Sequence, residues 1–310
     1  MKKEKKLQNI HLSHPDKIYW PTEKYTKKDL MDYYQSISPF ILPFLKDRPM
    51  VLRRFPKGIE GENFIQKNTQ SLHLPEGIQT IEIKHEEKSL WYFLIQDETS
   101  LEYTVNLGTI EFHPFHSHVG QLDNPDYFVL DLDPESVPFN SVIETAQIIH
   151  QLFEQWKIPH YCKTSGGRGL HIYIPLHAKY TVDQVSKFGQ ILGMLVHEQL
   201  PKITSLERSP SNRQKKIYLD VLQNRAKQTV VAPYSLRGRP QAPVSTPLHW
   251  EELKKGLKPQ YFTIETMIPR LKDVGEIFYP ILGKGFNMKQ WMSSLDSPLD
   301  KKDITQKVLP

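Results

Sequence analysis

The stretch Tyr127-Phe128-Val129-Leu130-Asp131-Leu132-Asp133-Pro134 constrains this chain more than any other. Four apolar residues run unbroken into Asp-Leu-Asp, with Asn124-Pro125 before and Pro134 after. A short, bulky apolar run bounded by turn residues reads as a buried strand. Side chains on a strand alternate faces, so Asp131 and Asp133 share one face and Leu132 takes the other. At a rise of ~3.3 Å per residue the two carboxylates stand roughly 7 Å apart. Left unpaired they repel each other and resist burial. The stretch asks for a cation, and the rest of the chain has to supply whatever else that cation holds.

The 310 residues suffice for one large domain or two modest ones, and 24 prolines argue against an all-helical fold. Cys162 is the only cysteine. That rules out an intramolecular disulfide and a cysteine zinc cluster, and it suits an intracellular, cytoplasmic setting. No run of apolar residues is long enough for a membrane span. The opening Met1-Lys2-Lys3-Glu4-Lys5-Lys6 is charged with no apolar stretch behind it, unlike a secretory signal. A net charge of +5 is compatible with a polyanionic partner only where the charge is concentrated.

Along the chain, Thr26 with Asp29 forms the pattern of a capping box, opening a helix through Leu30, Tyr33 and Tyr34. Lys27 and Lys28 in its first turn are either solvated or poised to hold an anion. Pro49 to Pro56 reads as a strand ending in Arg53 and Arg54, followed by a glycine turn and Phe64-Ile65. Strands are expected at Leu90–Ile95 and Thr109–His113, with a short helix between. His113, His116 and His118 are interrupted by Pro114 and lack a nearby cysteine, so a single histidine donating to an anion suits them better than zinc. Ser141 is expected to cap a helix whose stripe is Val142, Ala146, Ile149, Phe153 and Trp156. Val185, Phe188, Leu192 and Leu195 mark a second core helix, and Trp250 to Leu257 a third.

Between two strands lies Ser165-Gly166-Gly167-Arg168-Gly169-Leu170, then His171-Ile172-Tyr173. Its glycines free backbone N–H groups to face an anion. The order strand, glycines, strand excludes both common nucleotide loops, which run into a helix. From Arg208 to Arg239 there are eight Lys or Arg and one acid, Asp220, set among apolar neighbours in Lys216-Ile217-Tyr218-Leu219-Asp220-Val221. Asp220 is a salt-bridge partner or a metal ligand, and the pair at 131 and 133 favours the ligand. Three aspartates, an anion-binding turn and a concentrated basic surface fit phosphoryl transfer with two Mg²⁺ or Mn²⁺ ions. Nuclease and polymerase share that layout. The arginine-bearing glycine turn favours an incoming triphosphate.

These motifs resemble the polymerase domain of the bacterial ligase D family, in the archaeo-eukaryotic primase superfamily. Phe128 to Pro134 is similar to its first metal motif, and Ser165 to His171 to its nucleotide motif, with Arg168 where the family often has lysine. Tyr218 to Asn224 and Ala232 to Arg237 are similar to the segments that follow. The resemblance implies an α+β fold: a primase-type mixed or antiparallel sheet core flanked by helices, with an N-terminal lobe. It divides the single domain into a lobe at 1–120, a catalytic core at 121–262 and a C-terminal helical segment at 263–310. It implies a template-directed polymerase that adds nucleotides, with a preference for ribonucleotides, at DNA ends and gaps during non-homologous end joining. A primase that starts strands de novo and a non-catalytic DNA-end-binding module are the alternatives. Asp131, Asp133 and Asp220 would hold the metals. Ser165, Arg168, His171, His113, Gln223, Arg237 and Arg53 would bind the nucleotide. Lys17 and Lys27 would take the downstream 5′-phosphate. Phe64 would stack on the template, although its neighbour is Ile65 where the family has a second aromatic. DNA, nucleoside triphosphates, a Ku-type protein and a DNA ligase are the implied partners, at the bacterial nucleoid. The chain has no Lys-x-Asp-Gly ligase motif. It is therefore expected to be a stand-alone polymerase or part of a longer protein.

Overall fold

The computed structural model describes residues 10–134 and 136–295, so the end of the expected C-terminal segment lies outside the described residues. Two compact units share the chain. The first runs through Val119 and takes in Thr229–Ser245 and Phe262–Gly275; the second holds Gly120–Gln228, Thr246–Tyr261 and the segment from Glu276.

The first unit begins with strands β1 (Ile18–Trp20) and β2 (Tyr25–Thr26), then helices α1 (Lys27–Ser36) and α2 (Ser38–Leu45). The expected capping box opens α1: Thr26 accepts from the Asp29 N–H, and the Asp29 carboxylate accepts from Thr26 N at 2.7 Å. Strands β3 (Pro49–Arg54), β4 (Phe64–Gln66), β5 (Gln79–Lys84) and β6 (Ser89–Leu94), helix α3 (Glu98–Asn106) and strand β7 (Thr109–Pro114) follow. β7 lines one edge of β3, whose other edge is shared by β6 at its start and β4 at its end. The residues Pro49–Leu52 of β3 are buried, while Arg53 and Arg54 emerge half-buried at its end.

The second unit is a six-stranded sheet of β8 (Tyr127–Asp133), β9 (Tyr161–Thr164), β10 (Leu170–Pro175), β11 (Thr204–Ser205), β12 (Ile217–Asp220) and β13 (Pro247–Leu248). The order is β11-β12-β8-β10-β9-β13, with only β11 and β12 parallel. Helices α4 (Phe139–Gln155) and α5 (Val182–Gln199) supply its apolar cover. Phe128, Leu130 and Leu132 are fully buried, and the Phe128 ring meets Phe188 of α5 edge-on at 5.3 Å. That anchors one face of β8 and leaves the aspartate face for other work. Helix α6 (Met267–Val274) returns to the first unit, and α7 (Met288–Leu295) belongs to the second.

Three local expectations change. Helix α4 starts at Phe139, two residues before Ser141, because Pro138 presets the backbone at the N-cap and no side chain caps it. On α5, Val196 rather than Leu195 completes the buried stripe. Trp250 opens only a single 3-10 turn, Trp250–Glu252, with Gly256 at φ 95° and Pro259 closing the segment to a longer helix. None of the described helices is long and apolar enough to cross a membrane.

Candidate metal and nucleotide site

Strand register does the assembly. β12 and β10 flank β8 in antiparallel pairing, and Asp220 and His171 are both opposite Asp131. On β9, Lys163 is opposite His171. Directly opposed residues share a sheet face, with Cβ atoms ~4.5–5.5 Å apart. Asp220, Asp131, His171 and Lys163 therefore form a row across four strands. Asp133 continues along β8 beside Tyr218, which lies on the same face as Asp220 two residues on. Asp131, Asp133 and Asp220 are all half-buried at this face.

Neighbouring donors answer part of that negative charge. His171 Nε2 lies 3.5 Å from Asp131 Oδ1. Its Nδ1 is 2.9 Å from Lys163 Nζ, on a lysine that is itself fully buried. Arg213 Nη1 donates to Asp133 Oδ2 at 3.0 Å, with its guanidinium 4.3 Å over the Tyr218 ring. Asp220 accepts from Leu222 N at 2.8 Å and from Gln223 Nε2 at 3.0 Å. Burial, with the nearby Asp220 charge adding to it, pushes the Tyr218 phenol up to about 12. A cavity of about 260 Å³ opens here, lined by Asp133, Arg213, Tyr218, Asp220, Gln223 and Arg225 among others. Asp133 and Asp220 line this cavity, and Asp131 stands beside them on the same sheet face. Carboxylate oxygens are the donors a hard divalent cation takes.

The glycine turn closes on itself more than expected. Ser165 Oγ accepts from Gly167 N at 3.2 Å and Gly169 N at 3.1 Å, so two of the turn's N–H groups point inward. Arg168 stands exposed at the tip. Gly169 runs against β8 so closely that a Cβ would lie 2.3 Å from the Leu132 carbonyl oxygen.

In the first unit, Arg53, His113 and Arg237 gather around Glu111. Glu111 Oε2 accepts from His113 Nε2 at 3.0 Å and pairs with Arg237 Nε at 3.1 Å, and Arg53 Nη1 is 3.7 Å from Oε1. Gly238 N also donates to Oε1 at 3.0 Å. Burial pushes the Glu111 carboxyl upward, but the His113 bond, the Arg237 charge and the Gly238 N–H outweigh it and hold the pKa down at about 2. On the adjacent edge, Phe64 is 45% exposed and Ile65 62%, and the Arg54 guanidinium lies 5.1 Å over the Phe64 ring.

The two lysines differ sharply. Lys17 is exposed, with its Nζ donating to Pro56 O at 2.7 Å. Lys27 is 4% exposed, and its ammonium donates to Ser13 O, Ser13 Oγ and Asn106 Oδ1 at 2.8–2.9 Å. Burial, and then the Lys17 charge, pull its pKa down to about 8.

The candidate residues thus fall into three groups: the aspartate row with His171, Gln223 and the glycine turn in the second unit, and the Glu111 cluster and the lysine pair in the first. Sequence reasoning missed Glu111, Arg213 and Lys163 as members. Glu111 carried a signal, since it sits two positions before His113 on one strand face. Among the described residues, neither His113, His116 and His118 nor Asp131, Asp133 and Asp220 bring three ligand atoms within 4.8 Å of one another, whereas His150, Glu154 and His160 do.

Residues 26–278 match the model of the family described as LigD, primase-polymerase domain. Over 268 residues the chain is 34% identical to the bifunctional non-homologous end joining protein LigD of Bacillus subtilis, covering 85% of this chain and 43% of that protein. It is 32% identical to the multifunctional non-homologous end joining protein LigD of Pseudomonas aeruginosa, covering 86% of this chain and 32% of that one. The chain spans less than half the length of these relatives. The polymerase domain of Mycobacterium tuberculosis ligase D, solved in complex with DNA, matches at a TM-score of 0.82 and 25% identity, covering 90% of this chain and all of that one. That likeness makes the α+β architecture of helices and antiparallel sheets a primase-type fold. With a family match over most of its length and a structural match over nearly all of it, the chain belongs to the LigD primase-polymerase domain family.

Proposed function

We propose that this chain is a template-directed nucleotidyltransferase that extends DNA ends and fills gaps bearing a 5′-phosphate in non-homologous end joining, with a preference for ribonucleotides. The observation that carries the reading is the β12-β8-β10 register, which stands Asp220 and His171 on either side of Asp131. Asp131, Asp133 and Asp220 would hold two divalent cations, Mn²⁺ or Mg²⁺. When bound, such ions offset the charge on the attacking and leaving oxygens of an in-line phosphoryl displacement.

The chain's own groups take the remaining roles. Gln223 holds the Asp220 carboxylate in place. An ammonium has only donors, so the contact from Lys163 makes His171 Nδ1 the acceptor and leaves the proton on Nε2. His171 Nε2 then donates to a triphosphate oxygen, beside Ser165 and Arg168. In the first unit, Arg53, His113 and Arg237, gathered around Glu111, are a separate set of donors suited to nucleotide phosphates. Lys17 with Lys27 behind it receives the 5′-phosphate of the downstream strand, and Phe64 meets a template base. A Ku-type end-binding protein and a DNA ligase are the partners that such gap filling requires at the nucleoid.

The test is extension of a labelled primer on a gapped duplex, with ribo- and deoxyribonucleoside triphosphates in parallel and Mn²⁺ or Mg²⁺ supplied. Wild type extends the primer, faster with ribonucleotides, and Asp133→Ala abolishes extension while gapped DNA is still bound. Undiminished extension by Asp133→Ala overturns the metal assignment. Shortening of the primer without triphosphate would make the chain a nuclease.

A further inference from the structure

Away from the aspartate row, the second unit carries another set of metal-ligating side chains. His150 and Glu154 stand one turn apart on α4, the i,i+4 spacing that puts both on one helix face. His160 lies just before β9. One ligand atom from each comes within 4.8 Å of the others.

The rings are already oriented. His160 is buried, and its Nδ1 lies 2.7 Å from the Ile158 carbonyl oxygen. A carbonyl only accepts, so Nδ1 carries the proton and Nε2 is the bare nitrogen. A backbone carbonyl fixing the tautomer in this way is the usual outer support of a metal-binding histidine. The bare Nε2 faces His150 Nδ1 at 2.7 Å. His150 is in turn stacked on Trp250, with centroids 4.3 Å apart and planes 7° from parallel. Trp250 Nε1 donates to the His160 carbonyl at 3.3 Å, tying the stack to the same turn. Burial lowers the pKa of both imidazoles.

We propose that His150, Glu154 and His160 form a Zn²⁺ site that ties the end of α4 to the start of β9. Two imidazoles and one carboxylate are borderline N and O donors, which suit zinc better than the all-oxygen demand of Mg²⁺. In the structure the proton on His150 Nδ1 bridges the two rings. On binding it moves to the outer nitrogen, His150 Nε2, and both facing lone pairs turn to the ion. Zinc–nitrogen bonds of ~2.0–2.1 Å at a tetrahedral angle separate two nitrogens by roughly 3.3 Å. The rings thus part by about half an ångström, a small adjustment along the Trp250 face. Exposed Glu154 swings in as the third ligand, and water completes the set. The site has a structural role: β9 carries Lys163, which contacts His171.

The test is titration of the full chain with Co²⁺, read by its ligand-field absorption, and with Zn²⁺ in competition against a chromophoric chelator. Wild type and Asp131→Asn should each show one ion with nitrogen-ligand absorption, separate from any the aspartate row takes up. Glu154→Gln and His150→Gln should bind it at least tenfold more weakly. Zn²⁺ should raise the melting temperature of wild type and not that of Glu154→Gln. Because Glu154 is exposed, its variant should match the metal-free wild type in fold and melting temperature. Equal affinity in wild type and Glu154→Gln overturns the proposal, as does loss of all binding in Asp131→Asn, which would put the ion in the aspartate row.

Discussion

Glu111 is a buried carboxylate whose charge is answered by Arg237, His113 and the more exposed Arg53. Its pKa of about 2, against a usual 4.5, means that folding favours the charged form. The associated stability is complete above the unfolded pKa and is lost as pH falls from about 4.5 toward 2. At 1.36 kcal/mol per pKa unit this amounts to ~3 kcal/mol. Glu111→Gln removes the charge but keeps an acceptor for Gly238 N, so it should cost ~3 kcal/mol at neutral pH, the scale of a broken buried pair. Because glutamine mimics the protonated acid, urea unfolding curves of the variant and wild type should converge on acidification. Curves that stay equally far apart at low pH would show that the loss comes from packing rather than from charge. Arg213 and Lys163 escaped the sequence reading because each gains its role from a partner brought close by folding, whereas Glu111 had a local partner in His113 and gains only Arg53, Arg237 and Gly238 by folding. Asp131 and Asp133 were legible because alternation along one strand is enough to put them on one face.

At the scale of elements, short-range rules were the ones that could be read. The Thr26–Asp29 capping box depends on residues three apart. The start of α4 and the single turn at Trp250 depend on which proline or glycine wins locally, and a list of apolar positions does not decide that. Pairing order was out of reach: nothing in the chain stated that β12 would lie beside β8 in the register that faces Asp220 with Asp131. The glycine turn was legible as a special backbone, but the reason for its third glycine was not. Gly169 is needed for close approach to the Leu132 carbonyl, which sits between the two aspartates of β8. Gly169→Ala forces the turn and strand apart. A clash of this kind in a packed region costs ~1–3 kcal/mol. The expected result is a lower unfolding midpoint together with loss of primer extension. Full extension with a lowered midpoint would mean that the turn's position does not matter to nucleotide binding.

At the scale of the molecule, each of the two units carries its own charged apparatus. The aspartate row lies wholly within one unit and the lysine pair wholly within the other. Recognition of a phosphorylated gap and nucleotide addition should therefore separate by mutation. Lys17→Ala leaves the aspartate row untouched. It should weaken binding to a gapped duplex carrying a 5′-phosphate, with little change on the unphosphorylated duplex, while extension of a simple primer-template persists. Losing one phosphate contact should also flatten the dependence of log affinity on log salt by ~0.9. The buried Lys27 adds a pH signature. Its pKa is drawn down to about 8, so its charge is lost as pH rises through that value rather than near the usual 10.5. Preference for the phosphorylated gap should fade over that rise in wild type, and a bound phosphate, which stabilises the ammonium, should shift the loss to higher pH. Equal weakening of Lys17→Ala on both duplexes would reduce Lys17 to a general backbone contact, and a preference unchanged through pH 8 and well above would remove Lys27 from the pocket.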